Sequence, residues 1–152
     1  MARGAIVFSI LVFVAVAITL TTLALAFEPD EISSPHDRIK EEQIHIFPDK
    51  VVIDVKNASW ASYADTNSMD PFLDYGSNGL ELTPQAEDDL FIGDVAAYES
   101  KITKELIIHR IVDIREDSKG KYFIFKGDNN STIDPEWVRF SQIKYVLIGI
   151  IY

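Results

Sequence analysis

The stretch Leu106-Ile107-Ile108-His109-Arg110-Ile111-Val112-Asp113-Ile114 decides the fold class. β-Branched residues dominate it and neither proline nor glycine interrupts it, a combination that predicts a strand. Side chains alternate between faces along a strand, so His109 shares one face with Ile107 and Ile111 while Arg110 points the other way. Comparable short apolar runs, separated by Gly, Asn, Asp and Pro clusters, recur on both sides. They predict strands over residues 51–55, 94–98, 122–125 and 145–152 in addition to 106–114. Asp134-Pro135-Glu136 reads as an N-cap, a first-turn proline and a first-turn acid, which predicts a short helical turn before the last strand. With no internal repeat and no low-complexity tract, residues 51–152 read as a single, mostly β domain.

The chain ahead of that domain is of a different kind. Residues 5–27 are 23 positions without a charge. As a helix they are long enough to cross a hydrocarbon core of ~30 Å. Arg3 precedes the run and Glu28, Asp30 and Glu31 follow it, so positive charge stays inside and the body faces outward. The expectation is one N-terminal transmembrane helix over residues 1–27. A cleaved signal peptide is the other reading, because Ala24 and Ala26 form a small-x-small site, although such apolar regions usually span only about 7–15 residues. Residues 28–50 carry Glu28, Asp30, Glu31, Asp37, Glu41, Glu42 and Asp49 against Arg38, Lys40 and Lys50, broken by Pro29, Pro35 and Pro48. They read as an acidic, solvated stalk with a short helix around residues 38–47.

Composition removes several function classes. Lys and Arg number 14 against 24 Asp and Glu, a net charge of −10, which excludes a nucleic-acid partner held through its phosphates. The absence of cysteine excludes disulfide frameworks, thiolate nucleophiles and Cys-bound zinc. Three histidines remain as candidate bases. His36 and His45 lie in the polar stalk and read as exposed and idle. His109 sits on an apolar strand face and must have a hydrogen-bond partner there, either as a core histidine satisfied by backbone or as a working base. Imidazole, with an unperturbed pKa of ~6.5, takes a serine proton near neutral pH, whereas a lysine must first be brought down from ~10.4. Lys101, Lys104 and Lys126 all have polar neighbours, and Arg110 does not deprotonate. A hydroxyl lies upstream in Asp65-Thr66-Asn67-Ser68-Met69-Asp70-Pro71, which by itself reads as a polar turn.

The order of the segments adds to this. Asn67-Ser68-Met69-Asp70-Pro71, Gly93-Asp94-Val95-Ala96-Ala97-Tyr98, Ile108-His109-Arg110-Ile111-Val112 and Lys126-Gly127-Asp128-Asn129-Asn130 follow one another as do the successive boxes of the type I signal peptidases. The chain resembles that family over about residues 60–152, in the histidine form of the archaeal and endoplasmic-reticulum branch. The resemblance implies a signal-peptidase-like β domain behind one transmembrane helix, with Ser68 as nucleophile and His109 as general base. It further implies Asp134, six residues beyond Asp128, as the third member of the triad, and Asp128 as a supporting carboxylate. Locally, Asp128 also reads as a turn-capping residue and Asp134 as a helix N-cap. Thr66 matches a position whose hydroxyl helps bind the oxyanion, together with the Ser68 backbone N–H. Asn67 stands where the family often has glycine, and Ala96-Ala97 replaces a bulkier pair. The implied activity is that of a membrane-bound serine endopeptidase removing signal peptides from exported preproteins, with no metal or organic cofactor. The implied partners are those preproteins and the lipid bilayer, and the implied location is the cell membrane, single-pass, with the catalytic domain extracytoplasmic. The alternative is a catalytically inactive or divergent signal-peptidase-like domain that binds a membrane partner.

Overall fold

The computed structural model describes the backbone of residues 2–25, with the side chains of residues 6–8, 10–19 and 21, and all of residues 31–152. The end of the expected anchor, residues 26–27, and the start of the acidic segment, residues 28–30, lie outside the described residues. The chain divides into two units, Met1–Glu31 and Ile32–Tyr152.

The first unit is a single helix, α1 (Ala2–Leu25). Its described side chains are all exposed and mostly apolar, Phe8, Leu11 and Phe13 among them. The two described hydroxyls fold back onto the helix: Thr19 donates to the carbonyls of Ala15 and Val16, and Thr21 to those of Ala17 and Ile18. Among the described residues no helix is long and apolar enough to cross a membrane, so the anchoring role expected of residues 5–27 stays a proposal.

The second unit is mostly β, with two sheets. β1 (Ile44–Ile46) and β2 (Val51–Ile53) form an antiparallel hairpin. β3 (Ala58–Ser62), β4 (Asn78–Leu82), β5 (Val95–Glu99), β6 (Leu106–Asp117), β7 (Gly120–Lys126) and β8 (Ile143–Ile151) form an antiparallel sheet in the order β3-β4-β8-β5-β6-β7. The five strands expected from β-branched runs are present, with bounds shifted by a few residues. Of the three others, β1 is a three-residue Ile-His-Ile strand, and the remaining two carry little or no such signal. β3 and β4 read Ala-Ser-Trp-Ala-Ser and Asn-Gly-Leu-Glu-Leu, poor in β-branched residues, and are strands because Trp60 pairs with Leu80 and β8 covers the far side of β4.

Two helical expectations are corrected. Around residues 38–47 only a 3-10 turn forms, Glu41–Gln43, and Ile44 and Ile46 then pair with Ile53 and Val51. Their β-branched side chains flank His45 with the alternation of a strand, which overrides the local charge pattern. No helical turn forms at residues 134–136 either: the Asp134 N–H donates to the Phe125 carbonyl at 2.8 Å and Val138 bridges to Phe123, so this segment runs alongside β7. The 3-10 turn comes later, at Phe140–Gln142.

Tyr98, Ile111, Phe123, Phe125, Val138 and Val146 form the main core, fully buried between β5, β6, β7 and β8. A second apolar cluster, Met69, Leu73, Val95 and Leu147, includes the residue directly after Ser68 and anchors the turn that carries it. The register shifts between Leu80 and Glu81, between Ala97 and Tyr98, and between Ile111 and Asp113. Such bulges re-aim side chains next to functional sites.

The expected stalk is not free of the domain over its whole length. Asp94, fully buried, accepts from the His36 N–H at 2.9 Å and from Arg38 Nη2 at 2.5 Å, and Arg110 Nη1 donates to the Ser33 carbonyl at 3.2 Å. Gly93, at φ +99°, makes this approach feasible, because a Cβ there would lie 2.1 Å from the Ser34 carbonyl oxygen.

Candidate active site

Strand alternation sorts the two neighbours on β6. Arg110 turns to one face, where Nε and Nη2 make a two-pronged bond to Asp128 at 2.8 and 2.6 Å and Nη1 donates to the Gly93 carbonyl at 2.7 Å. His109 turns to the other face, opposite Ala96 of β5. Its Nδ1 lies 2.9 and 2.7 Å from the two carboxylate oxygens of Asp134. Both residues are buried. A carboxylate accepting at Nδ1 fixes the tautomer with the proton on that nitrogen and leaves Nε2 as the basic one.

His109 lines a cavity of about 440 Å3 together with Ser68 and Thr66. Thr66 Oγ1 and Ser68 Oγ are 3.1 Å apart. Among the described residues that hydroxyl contact is the hydrogen bond Ser68 Oγ makes, and none to His109 is formed. In hydrolases generally, the hydrogen bond between nucleophile and base is often long without bound substrate and tightens only in the reacting complex. Among the described residues no lysine or arginine lines the cavity, and His109 is the nitrogen base in it. His36 stacks on Phe91 and His45 Nε2 faces Asp54 at 3.0 Å, both outside this cavity.

The Gly-Asp-Asn-Asn segment acts on the serine, not on the histidine. The Asn129 N–H donates to the Ser68 carbonyl at 3.0 Å and Asn129 Nδ2 to the Asn67 carbonyl at 2.8 Å. Asp128 gives both oxygens to Arg110. A Cβ at Gly127 would sit 2.5 Å from the Ser68 carbonyl oxygen, so glycine is required for this loop to close on the turn. Asn67 has φ 58°, the left-handed region. Asparagine is, after glycine, the residue that best tolerates that region, which explains it at a position where glycine is common in the resembling family.

The remaining polar lining was not foreseen from sequence. Glu81, buried in β4, accepts from Tyr63 Oη at 3.1 Å, and both line the cavity. Burial raises the Glu81 carboxyl above its ordinary value, the Tyr63 hydrogen bond opposing it in part. Burial, and then Glu81, push the Tyr63 phenol far above its own. A raised carboxyl means that the stability Glu81 allows is complete below the ordinary carboxyl range and is lost as pH rises through the raised folded value. Glu81→Gln keeps an acceptor for Tyr63 and removes that loss. Thermal melts are therefore expected to converge for variant and wild type at about pH 4 and to favour the variant at about pH 8. A variant less stable at both pH values would contradict this. Asn129 and Tyr98, the latter donating to Asp134 Oδ2 at 2.8 Å, lie within two of the four boxes but carry no role from sequence alone, since only strand register and loop closure bring them here. Among the described residues no group of three His, Asp or Glu is placed to hold a metal ion.

No protein-family profile matches the chain. Over 42 residues, 28% of the chain and 21% of the relative, it is 50% identical to an uncharacterized protein of Methanocaldococcus jannaschii. Over 70 residues, 45% of the chain and 42% of the relative, it is 36% identical to a Homo sapiens protein named as a signal peptidase complex catalytic subunit, SEC11B. The chain spans less than half the length of either relative. The second likeness supports a distant relationship to the signal peptidases.

Proposed function

We propose that this chain is a membrane-anchored serine endopeptidase of the signal-peptidase type, cutting exported preproteins just outside the membrane. The observation that carries the reading is the buried His109–Asp134 pair opening onto the cavity that Ser68 and Thr66 also line. In the proposed reaction Ser68 Oγ attacks the scissile carbonyl carbon while His109 Nε2 takes its proton. The imidazolium so formed is held by Asp134. The carbonyl oxygen becomes an oxyanion, met by the Thr66 hydroxyl and the Ser68 N–H. As the peptide bond breaks, His109 returns the proton to the leaving amine, and water then releases the acyl group by the same route. Ala61, Ala64 and Ala97 beside Met69 and Leu73 give the cavity the shape and polarity for a small apolar side chain next to the cut.

The anchor is proposed on the uncharged run of residues 5–27 and its flanking charges. The backward hydrogen bonds of Thr19 and Thr21 satisfy hydroxyls that lipid could not. Shared residence of enzyme and preprotein in one bilayer raises their effective concentration.

The test is incubation of the full-length chain in detergent with a preprotein bearing a small-x-small motif, and mass measurement of the products. A single cut after the motif is expected; no cut across several preproteins and lipids would leave the non-catalytic binding domain as the better reading. In right-side-out vesicles, added protease is expected to digest residues 32–152. Gly127→Ala is expected to lower kcat/KM about 100-fold with the fold retained, because the added methyl displaces the Ser68 carbonyl and with it the nucleophile. Unchanged kinetics would mean that the turn is not held by this loop.

A further inference from the structure

His109 and Asp134 share the carboxylate with a third group. Tyr98 of β5 is 1% exposed, and its Oη donates to Asp134 Oδ2, the oxygen that lies 2.7 Å from His109 Nδ1. The placement follows from the sheet. Ala96 is the cross-strand partner of His109, and Tyr98, two residues along, projects from the same face. The small side chain at Ala96 leaves the space beside it to the imidazole and the carboxylate, while the Tyr98 ring packs on Phe125 at 4.6 Å between centroids. We infer that Tyr98 is a positioning residue of this site, whose hydroxyl holds the Asp134 carboxylate in the orientation that meets His109 Nδ1 and tempers the negative charge the imidazole feels. The inference rests on the reading of Ser68, His109 and Asp134 as the catalytic set.

Two further observations bear on it. Burial first, and then the hydrogen bond to Asp134, push the Tyr98 phenol well above its ordinary value, so it remains a donor throughout any working pH range. The other charged groups around the pair are accounted for. Glu136, which also acts on Tyr98, accepts from the Lys101 N–H and from Gln142 Nε2. Arg110 is neutralised by Asp128 on the opposite face of β6, and Glu81 and Glu105 line the cavity beyond His109. Tyr98 is thus the side-chain donor that lowers the effective charge of Asp134 from the core side. Removing it leaves a carboxylate of greater charge density against Nδ1, which stabilises the imidazolium and demands a higher pH for a neutral base.

The test uses the full chain in detergent micelles, with wild type and Tyr98→Phe compared by nitrogen-15 NMR titration of the His109 imidazole, assigned through His109→Gln, and by the pH profile of kcat/KM. Tyr98→Phe is expected to move the His109 midpoint up by about 0.5 to 1 unit relative to wild type. The acid limb of kcat/KM should move with it. Looser aim of the base should lower kcat about tenfold with KM unchanged, a fraction of the ~10²–10⁴ that a positioned general base supplies. Site-specific 3-fluorotyrosine at position 98, a stronger donor of the same shape, is expected to move the midpoint below wild type. A merely structural role cannot produce shifts of opposite sign. If cleavage is lost in Ser68→Ala but Tyr98→Phe leaves midpoint and limb in place, the inference is overturned and the peptidase reading stands. If the midpoint shifts in both directions while no preprotein is cut, the coupling is upheld and the peptidase reading falls.

Discussion

On the proposed peptidase reading, Ser68→Ala is expected to abolish cleavage of an exported preprotein, a loss in kcat on the order of 10⁶, because the members of such a triad act as a unit and no partial mechanism survives without its nucleophile. The fold should be unaffected. What ties residue 68 to the rest of the domain is its backbone carbonyl, held by the Asn129 N–H at 3.0 Å, and the side chain contributes the 3.1 Å contact with Thr66. Thermal melting of the variant should therefore superimpose on wild type while product formation vanishes. A burst of product in wild type, absent from the variant, would identify the acyl intermediate. Cleavage at the wild-type rate would move the nucleophile elsewhere, Ser62 being the other serine that lines the cavity.

The two carboxylates downstream should separate cleanly. Asp134→Ala removes the acceptor at His109 Nδ1, so kcat is expected to fall on the order of 10⁴ through loss of tautomer and orientation. Asp128→Ala instead leaves the Arg110 guanidinium buried without its partner, their side chains being only 6% and 8% exposed. Breaking one partner of a buried ion pair costs about 3–5 kcal/mol of stability. Any rate loss in Asp128→Ala should be the smaller one, transmitted through the loop of residues 127–129 to the Ser68 turn. Denaturant unfolding and kcat measured on both variants check the split. An inactive but fully stable Asp128→Ala would reverse the two roles.

That split also marks where reading the sequence stops. Strand alternation alone puts His109 and Arg110 on opposite faces of β6 and groups His109 with Ile107 and Ile111, because the pleat is a local property of the backbone. The β-branched runs mark five of the eight strands for the same reason. The resemblance carried by the order of the four boxes implies roles for Ser68, His109 and Asp128 and, through a six-residue offset beyond the last box, for Asp134, and the charge asymmetry around residues 5–27 is the basis for proposing an anchored, outward-facing body. Which carboxylate meets the histidine is not a local property. His109 and Asp134 are 25 residues apart and Tyr98 and Asp134 are 36 apart. Their meeting depends on the β5–β6 register and on the segment of residues 134–138 lying along β7 in place of the helix that Asp134-Pro135-Glu136 suggests in isolation. β3 and β4 likewise lack an intrinsic strand signal and exist because β8 and each other satisfy their backbone groups. Glu81, Asn129 and Tyr98 reach the site through bulges and loop closures that no short stretch of sequence encodes. Hydrogen bonding between distant strands supplies those positions, and only the folded chain brings the partners together.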